Sequence, residues 1–340
     1  MKKVNIGLIG AGRMGRLHGE NLAHAVHNAK LYAVADPFLN EATIEWAESM
    51  GVDADKCYKD PQDILKDPEI DAVFICSSTD THATLIKESA KAGKDIFCEK
   101  PIHHDLDEIH AALKEVEKAG VKLQIGFVRR FDHNHKAVHD VVANGKLGAP
   151  CVVKVTSRDP DHQPMEYIRT SGGIFIDMTI HDFDMVRYLS GSEVTEVTAY
   201  GSVCENPEYA EMNDVDTAIV LMKFENGALG VIDNSRASHY GYDQRSEVQC
   251  QNGCVTTEND LENEVKVLSA DGVSSAKPTW FLMERYTQAF ISEDQAFVDA
   301  VLNDTEPLVK GIDGLKPVEI ALAANKSLKE GRTVKISEIL

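Results

Sequence analysis

Basic side chains are scarce in this sequence of 340 residues. It carries 35 lysines and arginines against 55 aspartates and glutamates, which gives a formal net charge of −20 at pH 7. An acidic surface of this kind repels phosphate backbones and anionic membranes. The composition therefore argues against nucleic acid and against a membrane surface as partners.

Long apolar runs and repeats are also missing. No stretch reaches the roughly 18 apolar residues that a membrane-spanning helix needs, and no internal repeat or low-complexity segment is present. With 43% hydrophobic and 26% charged residues, the composition excludes wholesale disorder. A chain of this length exceeds one typical core, so we expect two domains.

Cysteine is present but follows no disulfide or metal pattern. The seven cysteines are odd in number and mostly widely spaced, and Cys250 and Cys254, which flank an Asn-Gly turn, lack two further ligands for zinc. The apolar run near the N-terminus is short and broken by glycine, unlike the core of a signal peptide. We therefore expect reduced thiols, a cytoplasmic protein and no metal site.

The first part of the chain alternates strand and helix signals. Strands are predicted at 4–9, 31–35, 72–76, 95–98 and 122–127, and helices at 13–27, 41–50, 82–92 and 105–119. Such alternation is typical of a parallel sheet with crossover helices. It predicts an α/β fold that begins with a doubly wound parallel sheet over residues 1–126.

Strand signals dominate from residue 149 onward. They lie at 151–157, 194–203, 217–224, 228–234, 247–251 and 264–268, and helices are predicted at 174–189 and 285–302. Turn dipeptides such as Asn226-Gly227 separate the strands, which favours antiparallel pairing. We therefore predict a second, α+β domain with a mostly antiparallel sheet over residues 127–340.

A glycine-rich motif follows the first predicted strand. It consists of Gly10, Gly12 and Gly15, with Arg13 and Met14 between the last two. In a G-x-G-x-x-G fingerprint the glycines permit a tight turn, a close approach of a pyrophosphate and close packing of helix on strand. The N-terminus of the helix that follows attracts the phosphates.

Asp36 strengthens the interpretation of this motif. It ends the next predicted strand, 21 residues after Gly15, close to the roughly 20 expected for the acidic residue that binds the ribose hydroxyls. A carboxylate there repels a 2′-phosphate, and no arginine follows at 37–40. The sequence therefore predicts a dinucleotide site that prefers NAD to NADP.

Three residues are candidates for acid–base chemistry. Lys100 directly follows a predicted strand, and ligands of open α/β sheets bind beyond such carboxyl ends. Asp177 and His181 lie four apart in a predicted helix, so the aspartate could orient the imidazole on a shared face. The alternatives are a solvated lysine and a helix-surface pair, a buried histidine without a catalytic role, or a metal site for which no third ligand is identifiable.

With these residues in view, the chain resembles the Gfo/Idh/MocA oxidoreductase family over essentially its whole length. The glycine motif and Glu99-Lys100-Pro101 are general features of that family. Narrower motifs are similar to those of its inositol 2-dehydrogenases. They are GFVRRFD at 126–132, SRDP at 157–160, SGGIFIDMTIHDFD at 171–184 and YGYDQ at 240–244.

The resemblance implies a Rossmann domain followed by a domain whose open, mostly antiparallel sheet assembles the chains as tetramers. It implies a catalytic group of Lys100, Asp177 and His181, with the histidine as the usual base. Further residues are assigned by matching motifs. Thr79, His82 and Glu99 are expected near the cofactor, and Arg130, Asp159 and Tyr240 near the substrate or the nicotinamide.

The activity that the resemblance implies is NAD-dependent oxidation of a secondary hydroxyl of an inositol, myo- or scyllo-inositol, to the inosose. The alternatives are another sugar or polyol dehydrogenase of the same family, a redox-neutral NAD-dependent glycosidase, and a regulator that binds without turnover. For all of the residues assigned by matching motifs except Glu99, ordinary structural roles are the alternative, such as a helix cap for Thr79 and an ion pair for Arg130.

Overall fold

The computed structural model describes residues 3–340, which form two compact units. The first comprises the residues up to Val128 together with Gln288–Lys316, and the second comprises Arg129–Thr287 and Pro317–Leu340. The expected division into 1–126 and 127–340 differs from these units chiefly because 288–316 belong to the first. The reason is packing, since Phe297 and Val298 are buried in the hydrophobic core of the first sheet.

The first unit contains a six-stranded parallel sheet in the order β3-β2-β1-β4-β5-β6. From β1 the chain adds β2 and β3 on one side, and then β4, β5 and β6 on the other side of β1. Ligands of such sheets bind at this switch point, between β1 and β4. The doubly wound prediction is confirmed, and only the two-residue β3 was not anticipated. The strands are β1 Val4–Ile9, β2 Ala29–Ala35, β3 Cys57–Tyr58, β4 Ala72–Ile75, β5 Asp95–Glu99 and β6 Leu123–Gly126.

Local signals explain the helices that flank this sheet. The Asp105 carboxylate accepts the N–H of Asp107 at the start of α5, and Gly120, at φ +69°, ends that helix. Asn40 caps α2 in the same way through the N–H of Thr43. The helices are α1 Arg13–His24, α2 Glu41–Ser49, α3 Pro61–Lys66, α4 Thr79–Lys91 and α5 Leu106–Ala119.

The second unit is built on a seven-stranded sheet in the order β12-β11-β7-β10-β9-β8-β15. Of its pairs only β7–β10 is parallel, so the mostly antiparallel prediction is confirmed. Strands β13 and β14 form a separate hairpin. The strands are β7 Pro150–Arg158, β8 Val194–Ser202, β9 Thr217–Phe224, β10 Leu229–Ser235, β11 Asp243–Cys250, β12 Gly253–Thr256, β13 Lys266–Ser269, β14 Gly272–Ser275 and β15 Val334–Lys335.

The remaining helices differ from expectation in two places. The helix predicted at 174–189 is two helices, because the buried Thr179 hydroxyl donates to the Ile174 carbonyl and lies 2.6 Å from Asn234 Oδ1. The helix predicted at 285–302 is interrupted at Tyr286. The helices are α6 His133–Ala143, α7 Met165–Ile168, α8 Ile174–Asp177, α9 Ile180–Ser190, α10 Glu208–Glu211, α11 Leu282–Arg285, α12 Thr287–Asn303 and α13 Gly311–Glu330.

One face of the second sheet is covered and the other is open. From Ala218 onward, side chains along β9 alternate between buried and exposed, as expected for a sheet packed on one side. The open face carries large apolar side chains: Tyr200, Ile219, Leu221 and Leu229 are all exposed. Within residues 3–340, no helix is long and apolar enough to span a membrane.

Candidate active site

The glycine motif forms the turn between β1 and α1. Gly10 has φ +96°, and a Cβ on it would lie 2.7 Å from the Ser77 nitrogen; a Cβ on Gly15 would lie 1.9 Å from the Gly10 carbonyl oxygen. A Cβ on Gly12 would meet nothing within 4 Å. Gly10 and Gly15 therefore serve close packing, whereas Gly12 leaves open space at the start of α1. That start has no acidic residue in its first turn, so the turn fits a pyrophosphate.

Two predicted residues of the motif occupy the first turn of α1. Arg13 is its first residue and is exposed, and Met14 follows it half-buried. An exposed arginine beside free helix N–H groups favours anion binding electrostatically.

Asp36 follows β2 and fixes the glycine turn from the side. One carboxylate oxygen accepts the N–H of Ala11 at 2.7 Å, and the other accepts the N–H of Phe38 at 2.8 Å. Each oxygen has a second lone pair, so the carboxylate can still accept from ribose hydroxyls. Phe38, next to it, exposes 84% of its surface. The geometry therefore suits the predicted ribose contact.

His82 and Thr79 lie on α4, after β4. The helix is capped at position Ser78, so Thr79 is its first residue and not its N-cap. The His82 ring is buried, with Nδ1 2.9 Å from the Pro101 carbonyl oxygen and Nε2 3.0 Å from that of Ser77. Burial lowers the pKa of His82. His82 thus connects the loop after β4 with the segment after β5 through contacts of its two ring nitrogens.

Glu99 and Lys100 stand at the carboxyl end of β5. Lys100 is half-buried, and its N–H donates to Glu99 Oε2 at 3.2 Å. The other Glu99 oxygen lies 3.0 Å from Nε2 of His18, a fully buried residue of α1. The structure therefore places the predicted lysine at a strand end, and adds His18, which the sequence analysis did not select.

Asp177 ends α8 and is held by two side chains of the second unit. Its Oδ2 lies 2.9 Å from Nη1 of Arg236, and its Oδ1 accepts the Tyr167 hydroxyl at 2.6 Å. Arg236, just after β10, is 1% exposed. Burial alone would lower the pKa of Arg236, but the Asp177 charge raises it.

His181 lies in the first turn of α9, half-buried, and its N–H donates to the Met178 carbonyl. Because α8 and α9 are separate helices, the inference that Asp177 and His181 share one helical face is wrong. Asp184, further along α9, accepts two hydrogen bonds of 2.5 and 2.8 Å from Arg130. Arg130 is therefore part of an ion pair in this structure.

Of the two other predicted substrate residues, Asp159 directly follows β7 and Tyr240 lies in the segment between β10 and β11. Burial, reinforced by the Asp177 charge and opposed by Arg236, raises the pKa of Asp159 to about 7. Tyr240 is exposed; its hydroxyl donates to Asp243 at 2.5 Å and accepts from Arg158 at 3.1 Å. The positive charge of Arg236 thus acts on both Asp159 and Asp177, whereas Tyr240 belongs to a separate hydrogen-bonded group.

Comparisons with known proteins follow the two units closely. Residues 4–127 match the model of the oxidoreductase family with an NAD-binding Rossmann fold, and residues 135–256 match the Gfo/Idh/MocA C-terminal domain. The chain belongs to the Gfo/Idh/MocA oxidoreductase family. Membership confirms the resemblance, the Rossmann fold and NAD as the cofactor.

Relatives in the Gfo/Idh/MocA family match from end to end. An uncharacterised oxidoreductase, YrbE of Bacillus subtilis, is 47% identical over 98% of this chain and 97% of its own length. The myo-inositol 2-dehydrogenase of Thermotoga maritima is 45% identical over 99% of this chain and 100% of its own. Among solved structures, scyllo-inositol dehydrogenase from Lactobacillus casei with bound NAD(H) and scyllo-inositol has a TM-score of 0.91, with 31% identity, 99% coverage of this chain and 100% of that chain.

Sequence reasoning about this Gfo/Idh/MocA chain missed two buried cations, His18 and Arg236. Both touch carboxylates of the candidate site, but each partner is distant in sequence: Glu99 is 81 residues from His18, and Asp177 is 59 residues from Arg236. A pattern within one element cannot reveal such pairs. The one local signal is the place of Arg236 at the end of an otherwise regular strand, in Asn-Ser-Arg-Ala at 234–237.

Proposed function

We propose that this protein oxidises a secondary hydroxyl of myo- or scyllo-inositol to the corresponding inosose, with NAD as the oxidant. The observation that carries the proposal is the 45% identity, over 99% of this chain, to a protein named myo-inositol 2-dehydrogenase. The structural similarity to an enzyme holding NAD(H) and scyllo-inositol supports it further.

The residues that would hold the cofactor lie at the switch point of the first sheet. Gly12 leaves room for the pyrophosphate, and Asp36 offers free lone pairs to the ribose. When bound, NAD supplies the hydride acceptor. We assign Arg13, Met14, Gly10 and Gly15 to the same site, together with Thr79, His82 and Glu99.

The proton of the substrate hydroxyl needs a base, because the pKa of an alcohol is far above 7 and the hydroxyl does not ionise unaided at neutral pH. We assign that role to His181. Asp177 would orient the imidazole and add a negative charge to its surroundings. Arg236 and Tyr167 fix Asp177 at both oxygens. Lys100 would donate to the substrate oxygen and stabilise its developing negative charge.

We assign substrate hydroxyls to Arg130, Asp159 and Tyr240. A cyclic polyol presents hydroxyls that both donate and accept, so a carboxylate, a phenol and a guanidinium suit it. Tyr240 is already oriented by Arg158 and Asp243.

The decisive experiment is a panel of myo-inositol, scyllo-inositol, glucose and xylose, each with NAD and with NADP, followed by NADH or NADPH absorbance. We expect an inositol with NAD to give the highest kcat/KM. Preference for glucose or xylose would assign the protein to another polyol activity of the family. Cleavage of a nitrophenyl glycoside without net NADH would indicate a redox-neutral glycosidase.

Lys100→Ala separates chemistry from cofactor binding in the same assay. We expect kcat to fall while the dissociation constant for NAD stays within a few-fold, because Lys100 is assigned to the substrate oxygen. If NAD affinity falls and kcat does not, Lys100 belongs to the cofactor site instead.

We also propose that the chain forms a homotetramer through the open face of the second sheet. The exposed apolar side chains of that face, Tyr200, Ile219, Leu221 and Leu229, are the kind of surface that contacts between chains cover. Light scattering should give about four times the 37.4 kDa of one chain, and Leu221→Lys should lower that mass. All seven cysteines are free thiols, which suits the proposed cytoplasmic location.

A further inference from the structure

A buried row of charged groups runs behind the carboxyl end of β5. Its centre is His18, whose Nδ1 lies 2.7 Å from Asp294 Oδ1 and whose Nε2 lies 3.0 Å from Glu99 Oε1. His18 and Asp294 are fully buried and Glu99 nearly so. All three belong to the first unit.

Where Asp294 and Glu99 are both ionised, the hydrogen-bond geometry requires His18 to carry a proton on both ring nitrogens. A carboxylate oxygen can only accept, and a neutral imidazole donates from one nitrogen alone. A neutral ring would therefore set a nitrogen lone pair against a carboxylate at about hydrogen-bond distance. Burial alone would lower the pKa of His18, but Asp294 and Glu99 together raise it well above its usual range.

The row continues at both ends. Asn21 Nδ2 donates to the second oxygen of Asp294 at 2.9 Å, and the second oxygen of Glu99 accepts the main-chain N–H of Lys100. The row therefore begins on α1, the helix that starts at the glycine turn, and ends on the backbone of Lys100.

The surroundings of the row hold Glu99 in one place. Gly126 of β6 has no side chain there, and a Cβ on it would lie 3.1 Å from Glu99 Oε2. The rings of Phe74, Phe97 and Phe290 lie 5.0 to 5.8 Å from the His18 ring, measured between centroids. Electrostatic attraction is stronger in such an apolar environment than in water.

We propose that His18 is a positioning residue for the oxidation: a permanently charged link that joins α1, through Glu99, to the main chain that carries Lys100. The reaction part of this statement rests on the proposed function. Without the cation, Glu99 and Asp294 become two buried carboxylates with no positive charge between them, and one of them binds a proton. Glu99 is then free to rotate, and Lys100 loses the acceptor that holds its N–H.

The first test compares His18→Gln with wild type, using whichever polyol of the panel is oxidised fastest. We expect kcat to fall roughly 10- to 100-fold, the scale of a small misplacement of reacting groups. The KM for NAD should rise by a smaller factor, because Glu99 is only one of several residues assigned to the cofactor site. A new ionisation should appear in the pH profile of kcat, because a carboxylate of the row now titrates. The titratable groups that face His18 are Glu99 and Asp294, with the Cys76 and Cys98 thiols, whose pKa values burial raises, as further buried neighbours in this core.

Lys94→Met is the matched control. Lys94 is also a buried cation of the first unit, and it donates to the Asp67 and Ile70 carbonyls. It precedes the amino end of β5, whereas Lys100 follows the carboxyl end of the same strand. We expect this variant to lose thermal stability and to keep the kcat and pH profile of wild type. If His18→Gln behaves in the same way, the positioning role is refuted.

A graded pair at the far end of the row tests the link through His18. Asp294→Asn keeps an oxygen that can accept from Nδ1, whereas Asp294→Leu does not. We expect kcat to fall in the order wild type, Asp294→Asn, Asp294→Leu. Equal kcat values in all three would overturn the proposal.

A nitrogen-15 spectrum of the histidine side chains gives a reading that needs no substrate. The signal that His18→Gln removes should show protons on both ring nitrogens from pH 6 to pH 9. A neutral tautomer in that range would exclude the charged link. If no polyol is turned over at all, the proposed function fails, while this spectrum still decides whether His18 is charged.

Discussion

Replacing Arg236 offers the most direct test of how Asp177 is held. Arg236 is 1% exposed, and its Nη1 lies 2.9 Å from the Asp177 carboxylate, whose side chain is 11% exposed. Arg236→Met keeps the apolar stem but removes the charge. Breaking a buried pair from one side leaves an uncompensated charge and typically costs roughly 3–5 kcal/mol of folding free energy.

The double variant Arg236→Met/Asp177→Asn makes this argument specific. It removes both charges of the pair, so the Asp177 carboxylate is not left buried without its partner, and we expect it to be more stable than Arg236→Met alone. Urea denaturation of wild type, both single variants and the double variant gives the coupling energy. If the double variant is no more stable than Arg236→Met, the two side chains are not coupled as the structure indicates.

Activity should follow the charge of Asp177. In Arg236→Met the pKa of Asp177 rises, because an opposite charge beside it has been removed. Oxidation should therefore be impaired at neutral pH and recover as the pH is raised, whereas Asp177→Asn should be impaired at every pH. A pH profile of Arg236→Met that parallels wild type would refute the assigned role.

Three further predictions concern other groups of the site. Asp36→Ala should narrow the ratio of kcat/KM for NAD over NADP, because the carboxylate that repels a 2′-phosphate is gone; an unchanged ratio would contradict the ribose contact. His181→Ala should abolish most of kcat, and wild-type turnover would exclude it as the base. Asp159→Asn should gain stability relative to wild type between about pH 4 and pH 8. In wild type the folded-state pKa of about 7 lies above the unfolded value, so folding stability is lost as this group ionises; melting temperatures at both pH values check it.

Local motifs in the sequence were sufficient to locate the glycine turn and the strand ends that carry Asp36 and Lys100. The glycine turn, Asp36 and Lys100 each depend on a few adjacent residues and a strand end, and all three lie where the sequence predicts. Lys100 contacts its neighbour Glu99, and Asp36 contacts the glycine turn 25 residues earlier, at a spacing that the motif itself specifies. Patterns of this kind can be seen without knowing the tertiary structure.

What the sequence did not reveal depends on contacts between distant elements. The break at Thr179 requires Asn234 on β10, 55 residues away, and periodicity along one helix contains no such information. The membership of 288–316 in the first unit has the same origin, because an apolar helix face does not specify which sheet it covers. His18 is an extreme case, since its partner Asp294 lies 276 residues further along the chain.

The two buried cations suggest one principle for both units. A buried ion pair contributes little net stability compared with apolar side chains of similar size, so stability alone does not explain His18 or Arg236. Each instead touches a carboxylate next to, or identical with, a group assigned to the chemistry. Stability and activity should therefore separate: Arg236→Met/Asp177→Leu, which substitutes an apolar pair, should fold about as stably as wild type and be nearly inactive. If this variant keeps its activity, or if it loses stability as severely as Arg236→Met alone, the pair serves the fold and not the reaction.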